Sequence, residues 1–166
     1  VSRSADRGRG RTPAGRIGPM AREDEAVSRG PDEGQRPLAV VTAVVVREGR
    51  LLVVGKKAAP DVLYLPGGKP EPGETPLETL ARELDEELGV APLEPRFLAA
   101  VEAVAALEGV PMRLTVFEAR LDGEPRPAAE LAAARWITGR EDGLRLSPAL
   151  RDHVLPLLRR RGLLPP

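Results

Sequence analysis

Glu83, Glu86 and Glu87 fall within one short acidic run, Arg82-Glu83-Leu84-Asp85-Glu86-Glu87. On a helix, residues three and four apart are neighbours, so Glu83 lies beside both of the others and their charges repel. A helix that only had to be solvated would gain from alternating signs here. Converging carboxylates are instead the oxygen-rich set that a hard divalent cation takes. Held among them, such a cation can bind phosphate oxygens, neutralise charge and activate a water for in-line attack on phosphorus. Other chemistries have weaker footing. His153 is the only histidine and has no nucleophile or orienting acid at a useful spacing. The chain contains no cysteine, which removes thiol catalysis, disulfides and thiolate metal sites.

The elements that must position these glutamates are legible around them. Thr75 is an N-cap, Pro76 suits the first helical position, and Glu78 completes a capping box with Thr75. Leu77, Leu80, Ala81, Leu84 and Leu88 recur at helical spacing and predict one buried stripe. Gly89 is the natural stop. Just upstream, Pro66-Gly67-Gly68 ends a short strand predicted over Val62–Leu65, and its glycines let backbone approach a phosphate or a metal closely.

Earlier in the chain, Pro37–Arg47 and Arg50–Lys56 are β-branched runs of strand length joined by a tight Glu48-Gly49 turn. After the helix, Arg96–Ala106 and Pro111–Leu121 read as strands with a turn over Leu107–Val110. A loop over Gly123–Ala129 leads to a last strand, Ala132–Ile137. Ser147 and Pro148 open a final helix that Pro156 should kink or split, with Arg159, Arg160 and Arg161 at its negative end. A sheet with helices after its third strand and at its end implies helix, sheet and helix layers.

From Gly68 to Val90 the sequence resembles the Nudix box at each fixed position: Gly68, Glu74, Arg82, Glu83, Leu84, Glu86, Glu87, Gly89 and Val90. Motif matches need structural context, and the predicted loop-to-helix setting supplies it. The resemblance extends from about Pro37 to the C-terminus and implies an α/β Nudix fold, an α/β/α sandwich with a central mixed β-sheet. It implies that Glu83, Glu86, Glu87 and the carbonyl of Gly67 hold Mg²⁺ or Mn²⁺, that Arg82 orients a box glutamate, and that Glu74 supports it. The general base is expected to be Glu83. Glu130 competes for that role and for a metal position, because it lies six positions before Trp136, as in MutT-like members. Lys57, or Lys56 in its place, is expected where those enzymes carry an Arg against substrate phosphates. Gly67, Gly68 and Lys69 are expected at the phosphates, and Tyr64 at the base. Phe97 is an alternative for stacking the base, but is expected rather to be core.

The resemblance is strongest to MutT-like nucleoside triphosphate pyrophosphohydrolases, which release a nucleoside monophosphate and pyrophosphate. The alternatives are a Nudix pyrophosphatase for another nucleoside diphosphate derivative, such as a nucleotide sugar or ADP-ribose, and a non-catalytic nucleotide-binding domain. Where members that read oxidised guanine carry a base-bonding Asn, this chain has Leu150, which argues against strict selection of an oxidised purine, with Asp152 as the alternative source of that contact.

Length and composition agree with one such domain. Of the 166 residues, 1–36 are rich in Gly, Arg, Pro and acids, and are expected to be a disordered tail; 37–166 form the domain. Arg3, Arg7, Arg9, Arg11 and Arg16 make the tail's first half basic, and Met20 is a candidate start. We read it as a solvated tail rather than a nucleic-acid-seeking arm. Net charge is zero, so no global field attracts nucleic acid or membrane. With no apolar run long enough to span a bilayer and no visible secretory signal, a cytoplasmic protein is expected, a monomer or homodimer acting on a nucleotide.

Overall fold

The structure, a computed structural model, describes residues 36–166; the expectations for residues 1–35 lie outside the described residues. Strands β1 (Leu38–Val44), β2 (Val46–Arg47), β3 (Arg50–Lys56), β4 (Ala59–Tyr64) and β5 (Gly67–Gly68) lead into helix α1 (Pro76–Leu88). Strands β6 (Pro92–Val104), β7 (Pro111–Leu121) and β8 (Leu131–Ile137) follow. A π-helical turn, Leu150–Val154, then runs into α2 (Leu155–Arg160).

The first sheet has the order β5-β1-β7-β6 and is mixed: β1 and β7 pair in parallel, while β5 and β6 pair antiparallel at its edges. The second is antiparallel about β3, with β8 along one side and β2 and β4 sharing the other. The chain passes between the sheets at Val45, whose carbonyl accepts the Leu52 N–H (2.9 Å). The β2–β3 turn puts Glu48 and Gly49 at φ 51° and 70°, the left-handed pair that a tight hairpin of this twist requires.

Both faces are covered, which is why β1 and β3 are apolar almost throughout rather than alternating with polar residues. Val41, Ala43, Leu52 and Val54 pack with Leu80, Leu84 and Leu88 of α1. The residues between them, Val44, Leu51 and Val53, pack with Leu150, Val154, Leu155 and Leu158 on the other side. The layers are therefore helix, sheet, helix, as expected. Among the described residues no helix is long and apolar enough to cross a membrane.

Two local expectations change and a third is refined. The buried face of α1 is Thr79, Leu80, Leu84, Glu87 and Leu88; Leu77 is 47% exposed and Ala81 is also exposed. The helix is rotated toward β5, which takes its Thr79–Glu83–Glu87 side. Phe97 is 63% exposed, because β6 is the outer strand of its sheet and is bulged between Phe97 and Ala99. Its ring meets that of Phe117 edge-on, at 6.2 Å between centroids. The last helical run divides just ahead of Pro156, into the π-helical turn and α2, without being ended there. The turn before this proline widens instead, so that the Leu155 N–H bonds the Leu150 carbonyl five residues back, and a π-turn absorbs the missing donor.

Candidate active site

The entry to α1 fixes the first part of the site. Thr75 Oγ1 accepts the Glu78 N–H (3.2 Å), and the Glu78 carboxylate accepts the Thr75 N–H (2.7 Å). Gly89 closes the helix in the left-handed conformation at φ 65°. The ends of α1 are thus set by its own sequence, and Arg82, Glu83, Glu86 and Glu87 take their places from that register.

Arg82 is the hub. Its Nε and Nη2 grip Glu74 (2.6 and 3.0 Å), its Nη1 reaches Glu83 (2.8 Å) and Glu86 (3.3 Å), and Nη2 also donates to the Lys69 carbonyl (3.0 Å). Glu74 is fastened in turn by the Thr79 hydroxyl and the Glu71 N–H, both at 2.8 Å. The bonds from Arg82, then that backbone N–H, hold the Glu74 carboxyl down to about 2. A planar fork suits this bidentate grip in a way a lysine would not.

Gly67 and Gly68 cross the N-terminal half of this network, paired with Thr42 and Val41 of β1. A Cβ on Gly67, at φ 140°, would strike the Val41 carbonyl; one on Gly68 would land on the Glu83 carboxylate. The Gly67 N–H donates to Glu87 Oε2 (3.3 Å). Glu87 is only 2% exposed, and its other oxygen has no hydrogen-bond partner. Burial pushes this carboxyl up to about 8, and the neighbouring Glu83 and Glu130 push the same way; the Gly67 N–H and Lys56 oppose them. A buried carboxyl with an orphaned oxygen is costly unless a cation meets it. Its hard-oxygen neighbours and the side-chain-free glycines beside it fit a divalent metal of the Mg²⁺ or Mn²⁺ kind. Among the described residues no three such side chains are already gathered into a metal cage, since Glu83 and Glu86 are turned onto Arg82.

The remaining expected residues divide. Glu130 reaches the site: its carboxylate lies 3.8 Å from Lys56 Nζ and acts on Glu87, while remaining largely exposed. Lys57 does not. Its ammonium donates to the Ala129 carbonyl (2.7 Å) and its N–H to the Glu130 carbonyl (2.9 Å), pinning the loop before β8. Lys56 faces the site instead, 5.5 Å from the centre of the Tyr64 ring. A bulge between Gly55 and Lys56 shifts the strand's alternation and selects the earlier lysine. Lys69 pairs with Glu108 of the β6–β7 turn (3.0 Å). His153 is exposed, and Asp152 is taken by Arg151 (2.6 and 2.8 Å).

Beyond Gly67, on the face away from α1, opens a mainly apolar cleft. Val40, Leu65, Met112, Leu114 and Leu150 wall it, and Lys56, Tyr64, Lys69 and Glu108 lie toward its polar parts. Leu150, 1% exposed, offers it no donor or acceptor. The cleft joins residues far apart in the chain. Tyr64, Leu150, Lys56 and the Gly67–Lys69 run were its sequence-level signals; Thr42 and Glu108 carried none.

The family model described as NUDIX domain matches residues 35–152. A Mycobacterium tuberculosis protein named as a candidate 8-oxo-dGTP diphosphatase 2 is 39% identical over 108 residues, 61% of this chain and 74% of its own. An uncharacterised Nudix hydrolase, orf19, of Rhodococcus erythropolis is 38% identical over 90 residues, 49% of this chain; the chain spans 49% of that relative's length. Among solved structures, a MutT NUDIX hydrolase from Burkholderia pseudomallei matches with a TM-score of 0.63 and 31% identity, over 71% of this chain and 95% of that one. A UDP-X diphosphatase matches with a TM-score of 0.66 and 26% identity, over 77% and 64%.

Proposed function

Because this chain belongs to the Nudix domain family of hydrolases, which act on nucleotide derivatives, we propose that it is a divalent-metal-dependent pyrophosphohydrolase that cleaves a nucleoside triphosphate to a nucleoside monophosphate and pyrophosphate. The observation that carries the reading is Glu87: a buried carboxyl with one oxygen unpartnered, backed by Gly67, with an apolar cleft opening on the far side of that glycine. Glu83, Glu86, Glu87 and the Gly67 carbonyl would hold Mg²⁺ or Mn²⁺. Bound there, the ion supplies charge neutralisation at the phosphate oxygens and a water of lowered pKa.

The chain's own groups do the rest. Glu74 holds the Arg82 guanidinium, and Arg82 sets the direction of Glu83 and Glu86. Glu83, held by Arg82 against Gly68, is the general base in this reading; Glu130 is a second carboxylate beside Glu87 that assists charge balance there. Lys56 and Lys69 flank Gly67 and Gly68 and meet the phosphates. The apolar cleft takes the base. Leu150, with no polar atom, fits a base held by packing rather than one selected as an oxidised purine. The likeness to a UDP-X diphosphatase favours a second reading, a nucleotide sugar cleaved at its diphosphate.

A panel separates these. Ordinary and oxidised nucleoside triphosphates, ADP-ribose, dinucleoside polyphosphates and nucleotide sugars are incubated with Mg²⁺ or Mn²⁺, and products are resolved by chromatography. Triphosphates are expected to turn over fastest, without a strong preference for oxidised guanine. Turnover confined to nucleotide sugars would move the assignment to the second reading. Glu83→Gln is expected to cost more rate than Glu130→Gln.

A further inference from the structure

We infer that the Thr42 hydroxyl is the group that reads the nucleobase edge in this cleft. The inference rests on the assignment of the cleft to a nucleotide's base. Thr42 is 4% exposed, and its Oγ1 is buried without a hydrogen-bond partner among the described residues. It lines the cleft, as the alternation of β1 requires: Val40 and Val44 share its face, while Val41 and Ala43 point to α1.

Its place in the fold gives the hydroxyl a purpose. Thr42 stands opposite Gly67 in the ladder, and Gly67 binds Glu87. The glycine thus separates the carboxylates on the α1 side from the cleft on the other. A substrate with phosphates at the carboxylates passes over the side-chain-free β5 edge and enters the cleft beside Thr42. The cleft's floor is Thr42, Leu114 and Leu150, all buried; its mouth is Val104, Leu107 and the Lys69–Glu108 pair, all exposed. A planar base fills the floor and the sugar stays nearer the mouth. Leu150 cannot bond the base; Tyr64, whose hydroxyl is likewise buried without a partner among the described residues, and Ser147 also line the cleft, and Thr42 is the one of the three that stands opposite Gly67 in the ladder. A hydroxyl both donates and accepts, so it serves an amide edge or an amidine edge. In the free protein it is a buried polar group without a partner, which costs stability. A bound base would remove that penalty.

The pair of effects gives a test that a structural role would not produce. Thr42→Val keeps the shape and removes the hydroxyl; Thr42→Ser keeps the hydroxyl. Thermal melting without ligand is expected to show Thr42→Val equal to or above the wild type. Nucleoside monophosphates carrying different bases are titrated calorimetrically in EDTA, and kcat/KM is ranked over the matching triphosphates with metal. Thr42→Val is expected to lose about tenfold for the preferred base, one net hydrogen bond, and to compress the ranking. Thr42→Ser is expected to keep the ranking. An unchanged ranking in Thr42→Val would overturn the assignment, as would a lower melting point with ranking intact. So would a change only between ribo and deoxy forms, which would place the hydroxyl at the sugar. The proposed reaction fails separately: base ranking that depends on Thr42 in EDTA, with no triphosphate turnover, would retain Thr42 and discard the reaction. No nucleotide binding and no turnover by the wild type would discard both.

Discussion

Arg82 shows how one side chain organises several carboxylates. Its grip on Glu74 holds that carboxyl at about 2, against 4.5 for the free group. Between those values the unfolded chain binds the proton that the native chain refuses, so stability rises with pH across this window. The contribution is complete above about 4.5 and is lost as pH falls toward about 2. Glu74→Gln is therefore expected to flatten the acid limb of the melting temperature, followed by circular dichroism from pH 7 to pH 2.5; an unchanged limb would show that the pair does not contribute. Arg82→Lys keeps the charge and loses the fork. A fall in kcat/KM of about tenfold to a hundredfold is expected, since misplacing a positioned group costs that order. The glutamates were legible in the sequence because like charges at helical spacing are unfavourable without a reason. The choice of Lys56 over Lys57 was not. It follows from a bulge in β3, which Gly55 can mark but which does not by its residue type say which lysine turns to the site.

At the scale of elements, adjacent glycines have different reasons to be glycine. At Gly67 a methyl group meets backbone, and φ is 140°. Gly67→Ala is expected to destabilise the protein by more than about 2 kcal/mol, through strain that backbone cannot relieve. At Gly68 the obstacle is the Glu83 carboxylate, the end of a side chain that can turn away. Gly68→Ala is expected to fold nearly as well and to lose activity. Melting and kcat/KM measured on both variants check this, and a reversed pattern would mean that the two positions have been misread. The caps of α1 were fully legible, since Thr75, Pro76, Glu78 and Gly89 act through bonds local to the helix. Thr75→Ala is expected to cost about 1 kcal/mol in chemical denaturation. Its buried face was less legible. Spacing put Leu77 and Ala81 inside, but the packing of β5 against Glu83 and Glu87 rotated the helix. A carboxylate in the buried stripe breaks the apolar pattern because chemistry requires it there. The π-turn ahead of Pro156 was illegible for a different reason: a missing donor can be met by a kink or by a wider turn, and the tertiary contacts of Leu150 and Leu155 decide.

The whole molecule places two faces of one sheet edge in one site. The α1 side brings carboxylates, the other side brings an apolar cleft, and β5 between them carries no side chains. The apolar runs of β1 and β3 announced strands covered on both sides, so the layers were legible. The parallel pairing of β1 with β7 and the division into two sheets were not, because strand order is set by long-range packing rather than local spacing. Every group placed in the site lies within residues 36–166. Removing residues 1–35 is expected to leave kcat/KM and its salt dependence unchanged; a loss of activity would assign that segment a part in substrate binding. The central claim is tested most directly by following the products from one nucleoside triphosphate by ³¹P NMR with Mg²⁺ present, beside EDTA and Glu87→Gln controls. Pyrophosphate and nucleoside monophosphate in equal amounts are expected, with the rate at least about a hundredfold lower in Glu87→Gln, the order lost with a main charge-stabilising group, and abolished by EDTA. Orthophosphate with nucleoside diphosphate, or a rate indifferent to EDTA or to Glu87→Gln, would contradict the site described.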